Sequence, residues 1–136
     1  MTLIKPFKGV RPIKKHVHQV ASKPYDVLNS AEAREAVKGN PYSFLHIIKS
    51  EVDLPEDVDP HSQVVYDKAK DNFDRFISDS ILFQEKEECY YLYQQVMGMH
   101  RQIGLFCCSG IEDYRKNIIK KHEHTRPEKE QDRINH

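Results

Sequence analysis

The 136 residues are enough to bury a hydrophobic core, and we expect residues 1–136 to form a single domain. Lysine plus arginine equals aspartate plus glutamate, at 21 each, so the charge balance indicates no polyanionic partner and we expect no nucleic-acid binding. No apolar run approaches the roughly 18 residues of a membrane helix, and the first residues lack the apolar core of a signal peptide, so we expect a cytoplasmic protein without membrane attachment.

Three cysteines, Cys89, Cys107 and Cys108, are an odd number, and adjacent cysteines rarely bridge. Their spacing matches no zinc motif. We expect reduced, partly buried thiols on strands and no metal site.

The N-terminal half is predicted to contain one capped helix and one strand. The first 28 residues, which are rich in proline, are expected to be irregular chain with one or two short strands. Asn29 and Glu32 form a capping-box pattern and Gly39 suits the C′ position, which together predict a helix. Residues 43–48 carry apolar side chains on both faces of an extended chain, which predicts an internal strand.

The longest helix is predicted from about residue 61 to 79, opened by Asp59-Pro60. Its apolar residues follow a helical period and form a single stripe: Val65, Ala69, Phe73, Phe76 and Ile77. We expect this stripe to pack across a sheet.

A β-hairpin is predicted from strands 89–96 and 102–108, which flank a short loop containing glycine. A second capping box, Ser109 to Glu112, predicts another helix with Ile111, Tyr114 and Ile118 on its buried face. These elements do not alternate as βαβα and no glycine-rich phosphate loop follows a strand, which excludes Rossmann and P-loop folds. We predict an α+β fold, with a mostly antiparallel or mixed sheet and helices packed on it.

Two loops of the N-terminal region carry candidate site residues. Pro24-Tyr25-Asp26-Val27 places a carboxylate before a capped helix, where Asp26 could orient a substrate hydroxyl or bond its own backbone in an ordered turn. Arg11, framed by glycine and proline, could bind a phosphate or carboxylate with two hydrogen bonds, or tie down its loop.

The segment after residue 121 places His122, Glu123 and Thr125 before a predicted helix that carries Arg133. A helix start offers N–H donors and a partial positive charge, so a phosphate or carboxylate contact and an ordinary capped start are both possible interpretations. The helix stops after about two turns without a C-cap, so we expect the chain to be the N-terminal piece of a longer protein.

Tyr90, Tyr91 and Tyr93 could form a platform on which bases stack. Core packing is the interpretation we favour for these tyrosines, since no basic stripe accompanies them.

The order of several motifs resembles the start of a prokaryotic family known as domain of unknown function 1015. The motifs are Pro6-Phe7-Lys8-Gly9-Val10-Arg11-Pro12, Pro24-Tyr25-Asp26-Val27, Asn40-Pro41-Tyr42-Ser43-Phe44-Leu45, Tyr90-Tyr91-Leu92-Tyr93, and His122-Glu123 followed by Thr125, Lys129, Asp132 and Arg133. Full members of that family look about three times longer and carry an Asp-Gly-His-His-Arg motif, similar to the phosphate-contacting motif of the ParB and sulfiredoxin group. This chain contains neither that motif nor Gly-x-His-Arg.

The resemblance implies a parent protein that acts as a phosphotransferase on a small hydroxylated metabolite such as free serine, using a nucleotide with Mg²⁺. Asp26 and Glu123 would be catalytic, and the substrate would be bound by Arg11, Tyr25, His122, Thr125 and Arg133. The rest of the same protein would complete the site, so we expect this chain alone to show no turnover. The alternative is a non-catalytic ligand-binding or regulatory domain that is ParB-like.

Overall fold

The computed structural model describes residues 4–120 together with Pro127, Gln131 and Ile134. The chain divides into two compact units. Unit 1 comprises residues 1–11 and 84–124, and unit 2 comprises residues 12–83 and 125–136.

Unit 2 contains most of the helices. Its α-helices are α1 (Val17–Val20), α2 (Ser30–Val37), α3 (Leu45–Ile48) and α4 (Gln63–Ser78), and its 3-10 helices are Lys14–His16, Tyr25–Val27 and Ser50–Asp53. Unit 1 contains the strands β1 (Ile4–Lys5), β4 (Tyr91–Met97), β5 (His100–Phe106) and β6 (Cys108–Ser109), and the helix α5 (Ile111–Arg115). The strands β2 (Val10–Pro12) and β3 (Leu82–Gln84) include the residues at which the chain passes between the units.

The helix α2 is capped as the sequence predicts. The Asn29 side chain accepts a hydrogen bond from the Glu32 backbone, and the Glu32 side chain accepts one from the Asn29 backbone, each at 2.9 Å. Gly39 follows the C-cap with a φ of 74°, the left-handed conformation that glycine adopts without strain. Both ends of this helix are therefore confirmed.

Residues 43–48 form a helix and not the predicted strand. Ser43 begins the turn, since its hydroxyl oxygen accepts from the Leu45 backbone and its carbonyl accepts from the His46 backbone. Leu45, His46 and Ile47 are all buried. The strand prediction was wrong because a short apolar run that is buried on all sides has no periodicity to separate strand from helix.

The helix α4 begins after Ser62, two residues later than predicted. Asp59 forms a turn before it, with its side chain accepting from the His61 backbone and its carbonyl accepting from the Ser62 hydroxyl. Val65, Ala69 and Phe76 are buried as predicted.

The buried stripe of α4 continues through Asn72, whereas Phe73 is half-buried and Ile77 is 37% exposed. Phe76 packs in the core with Val20, Ile47, Ile81 and Leu82. Phe76 brings this face against a strand through Leu82 of β3, but the stripe as a whole is not laid across a sheet as we expected. The helix packs on α3 and on the 3-10 helix Ser50–Asp53.

The predicted hairpin is confirmed in unit 1, although its strands are residues 91–97 and 100–106 and not 89–96 and 102–108, so the turn is shorter than predicted. Strands β4 and β5 pair antiparallel from Tyr91 opposite Phe106 to Met97 opposite His100. Gly98 turns the chain with a φ of 60°. The strand β6 pairs antiparallel with β1, and Phe7 forms an isolated bridge with Cys89.

The helix α5 differs from its prediction. Gly110 stands at the N-cap with no side-chain cap, because Ser109 belongs to β6. Ile111, Tyr114 and Ile118 are 68%, 50% and 46% exposed, so the predicted buried face is not buried. Pro127, Gln131 and Ile134 are helical and exposed, and the fold as a whole is of the predicted α+β class.

Candidate functional site

Arg11 is held in place by two side chains of unit 1. Its Nε donates to Glu85 Oε1 at 2.8 Å, and its Nη2 pairs with the same oxygen. Its guanidinium carbon also lies 5.8 Å from the centre of the Tyr91 ring. Because Glu85 is only 20% exposed, the ion pair is better shielded than an ordinary surface pair. The guanidinium therefore has a defined position.

Tyr91 holds the loop that leads to Arg11. Its hydroxyl accepts from the Gly9 backbone at 2.7 Å and donates to the Phe7 carbonyl at 3.2 Å, while its ring centre lies 5.0 Å from that of Phe7. A Cβ added at Gly9 would lie 2.7 Å from the Tyr91 hydroxyl oxygen, closer than real contacts allow. The close approach of the Tyr91 ring therefore requires glycine at position 9. Tyr91 is half-buried, so the predicted core packing of the tyrosine cluster is only partly observed.

Tyr90 and Tyr93 are about half exposed, at 49% and 50%. Tyr93 contacts Phe106 edge to face at 5.4 Å, which is a cross-strand contact on the hairpin. The two rings neither belong to a core nor lie beside a basic stripe.

Asp26 lies in the first turn of the 3-10 helix Tyr25–Val27 in unit 2, and it is exposed. The Val27 backbone donates to the Pro24 carbonyl, so the turn is closed by its own backbone. Within residues 4–120, no side chain or backbone group forms a hydrogen bond or ion pair with the Asp26 carboxylate. The interpretation in which Asp26 caps its own turn thus gains no support, and its carboxylate faces solvent.

The other predicted site residues, His122, Glu123, Thr125 and Arg133, lie outside the described residues. Arg11 belongs to unit 1, while Tyr25 and Asp26 belong to unit 2. The convergence of all seven residues remains a prediction.

Sequence reasoning missed a buried polar network in unit 2, centred on His46. Its Nδ1 lies 2.9 Å from Asp53 Oδ1, and its Nε2 lies 3.1 Å from the Asn40 carbonyl. Both ring nitrogens therefore face protein acceptors, and neither is open to a ligand. Asn72 completes the network by donating to the His46 carbonyl at 2.6 Å and to Asp53 Oδ2 at 2.8 Å.

The network changes the acidity of Asp53. Partial burial by itself would raise the pKa of this carboxyl. The hydrogen bonds from His46 and Asn72 act in the opposite direction, as do the positive charges of His46 and Lys68. Their sum lowers the pKa of Asp53 below its ordinary value. These paired side chains tie three helical segments together and leave no ring nitrogen of His46 for catalysis.

A second set of polar contacts in unit 2 is also structural. Arg34 donates to the backbone carbonyls of Val52, Leu54 and Pro55 at 2.7 to 3.2 Å. Glu51, which is 3% exposed, accepts from the Ser30 hydroxyl and pairs with Lys49, each at 3.0 Å. The Arg34 fork holds the loop after residue 51.

In the part of the chain that the structure describes, no three side chains of histidine, cysteine, aspartate or glutamate are grouped to hold a metal ion. Cys89, Cys107 and Cys108 are free thiols, and Cys108 is exposed. None of the described helices is long and apolar enough to cross a bilayer.

A family model described as a protein of unknown function (DUF1015) matches residues 4–136. The chain belongs to the DUF1015 family. Searches of curated proteins and of solved structures gave no match. The membership covers both units, so Arg11, Tyr91 and Asp26 all lie in family sequence. The comparisons do not show the similarity to the ParB and sulfiredoxin group, which was inferred from a motif of full-length family members that this chain does not contain.

Proposed function

We propose that this DUF1015 chain is the N-terminal domain of a longer protein, and that the whole protein transfers a phosphoryl group to a small hydroxylated metabolite such as free serine. The rest of the same polypeptide would supply the nucleotide-phosphate contacts. The chain alone is then expected to bind an anionic ligand without turnover.

The position of Arg11 is the observation that carries this proposal. Two donors on one edge of its guanidinium engage Glu85, and the plane lies near the Tyr91 ring. A carboxylate or phosphate that reaches Arg11 would meet a pre-positioned planar cation, and less side-chain freedom would be lost on binding. Such positioning dominates phosphoryl-transfer catalysis.

Asp26 is proposed as the base that takes the proton of the substrate hydroxyl, with Glu123 as the second catalytic carboxylate. The Asp26 carboxylate is exposed and has no partner within residues 4–120, so a substrate would displace no existing contact there. Tyr25, His122, Thr125 and Arg133 complete the proposed substrate contacts.

A nucleotide with Mg²⁺ is compatible with these residues. Magnesium in nucleotide sites is usually held by one or two carboxylates together with the phosphates and water. Because the phosphates and water would supply most of its ligands, no protein cage is needed, and Asp26 stays available as the base. The ion would neutralise phosphate charge.

A non-catalytic ligand-binding or regulatory domain, ParB-like, is the second candidate. The Arg11–Glu85 pair fits it equally well, because a positioned guanidinium can hold an anionic ligand without any catalytic base.

The test is an assay on the longest natural form of the protein, with ATP, Mg²⁺ and a panel of hydroxylated amino acids and sugars, in which ADP and the phosphorylated product are measured. Asp26→Asn should lower kcat by about 100-fold or more. The exposed Asp57→Asn, in the acidic loop of the same unit, is the matched control and should leave kcat unchanged.

Arg11→Lys keeps the charge but removes the planar fork, and should raise KM about tenfold with kcat little changed. Binding of the metabolites without ADP formation would support the regulatory alternative. Unchanged activity in Asp26→Asn would refute the assignment of the base.

A further inference from the structure

The strand β4 presents an edge without the features that normally prevent strand pairing. Its seven residues contain no charge, no proline and no glycine. Within the described residues it is hydrogen-bonded as a strand to β5 alone, so one edge has no strand beside it. An edge strand that is long and uncharged tends to pair with another chain.

Open space lies over one face of the hairpin. A groove of about 560 Å³ there is lined by five consecutive residues of β4 with two from β5: Tyr93, Gln94, Gln95, Val96, Met97, His100 and Gln102. Gln95 and Met97 lie opposite Gln102 and His100, so these side chains share that face, and the groove is separate from the open edge of β4. Leu92 and Val96 are 79% and 57% exposed. The edge of β5 is less suited to pairing, because it contains His100, Arg101 and Gly104.

We propose that β4 pairs antiparallel with β4 of a second copy of this chain, about a two-fold axis at Gln94. A two-fold axis there places Gln94 opposite its own copy and Leu92 opposite Val96 of the partner. The result is a four-stranded sheet in the order β5, β4, β4, β5. Three or more strands are generally needed for a sheet to be stable by itself, and a single hairpin is marginal.

The charges at the two ends of the hairpin favour this arrangement over a partner of another kind. The turn end, residues 98–101, carries the cation Arg101, whereas the segment leading into β4 carries Glu87 and Glu88 with a single lysine. Antiparallel pairing about Gln94 brings the turn end of each copy beside the acidic segment of the other. The contact is thus self-complementary in charge and in register, as a two-fold interface requires.

Sedimentation velocity over a concentration series tests the proposal. The chain is expected to be a dimer that dissociates on dilution and that weakens as salt is added. Gln94→Lys would place two like charges opposite one another across the axis, and should raise the dimer dissociation constant roughly fivefold. Gln102→Lys is the matched control on β5, where the same change should have little effect.

A disulfide provides a second measurement that does not depend on the size of the charge effect. Opposed residues of antiparallel strands have Cα atoms about 4.5 to 5.5 Å apart, within the range that a disulfide spans. Oxidised Gln94→Cys should therefore form a covalent dimer, and peptide mapping should locate its disulfide at position 94 of both chains. Oxidised Gln102→Cys should form no more covalent dimer than the parent chain does.

A monomer at every concentration would overturn the proposal. So would equal weakening by Gln94→Lys and Gln102→Lys, or the absence of a position-94 crosslink. A longer natural form that is monomeric, with slowly exchanging β4 amides, would show that another part of the same polypeptide occupies the edge and would also overturn it.

Discussion

The two units differ in how they bury apolar surface. Every buried hydrophobic side chain of the described residues lies in unit 2, from Val20 to Leu82. In unit 1 Gly9 alone among the described residues is buried, while Leu92, Met97 and Ile103 are 79%, 80% and 66% exposed. Unit 2 has a core, and unit 1 has backbone pairing with little burial beneath it.

The difference shows that defined backbone pairing and stability have separate origins. The hairpin register follows from the turn at Gly98 and the strand lengths, both of which are local. Stability requires removal of apolar side chains from water, at about 25 cal/mol per Å², and unit 1 provides little of that. We therefore expect unit 2 to carry the folding free energy of the chain.

The largest expected effect comes from Phe76→Ala. The ring is 0% exposed in the core of unit 2, and its removal should lower the free energy of unfolding by about 3 to 5 kcal/mol. Phe106→Ala is the matched change in unit 1, where the ring is 53% exposed, and should cost less than about 1.5 kcal/mol. Urea denaturation measures both, and similar losses would contradict the comparison.

The second effect concerns the polar network of unit 2. His46→Leu removes the donor to Asp53 and leaves the Asn40 carbonyl without its partner, which should cost about 3 kcal/mol. His18→Leu, at an exposed position of the same unit, should change stability by less than about 0.5 kcal/mol. If the two variants unfold at the same denaturant concentration, the network contributes no stability.

The elements that the sequence predicts correctly have local signals. The capping box and Gly39 define α2, the apolar period defines α4, and the short glycine turn defines the hairpin. The helix α3 was missed because its buried run lacks a period. The N-cap predicted for α5 was wrong, because a serine at position 109 is equally compatible with the end of a strand, and Ser109 ends β6.

The site could be predicted only in part. Arg11 was identified by its glycine and proline neighbours, but its partners are Glu85, 74 residues away, and Tyr91, and no local pattern joins residues at that separation. The His46 network had one usable signal. Asn72 falls on the helical period of Val65, Ala69 and Phe76, and a polar residue on an apolar stripe indicates a buried partner.

A third prediction sharpens the comparison within unit 1. Gly9→Ala would place a Cβ 2.7 Å from the Tyr91 hydroxyl oxygen and disturb the two hydrogen bonds of that hydroxyl, at a cost of about 1 to 2 kcal/mol. Gly110→Ala, where the nearest atom is 3.8 Å away, is the matched control and should be nearly neutral. NMR spectra should change at Phe7, Gly9 and Tyr91 while the core of unit 2 stays unchanged.

The Gly9 clash can be separated from a general loss of flexibility with a second variant. In a Tyr91→Phe background the hydroxyl is absent, so Gly9→Ala should cost less than it does in the parent chain. Equal costs in the two backgrounds would mean that the close approach is unimportant.

The smallest expected effect is a dependence of stability on acid that originates in unit 2. The pKa of Asp53 is lower in the folded chain than its ordinary value, so folding favours its charged form. The contribution of Asp53 to the free energy of unfolding is therefore fully present at pH values above the ordinary carboxyl pKa of about 3.9. It is lost as the pH falls from that value toward the lower pKa of the folded chain. Asp53→Asn should remove this part of the acid dependence in urea titrations between about pH 5 and pH 3, whereas Asp57→Asn should retain it. Because the carboxylate is tied to α3 and α4, the loss should be seen by probes in unit 2, and an acid transition confined to the hairpin would contradict the assignment.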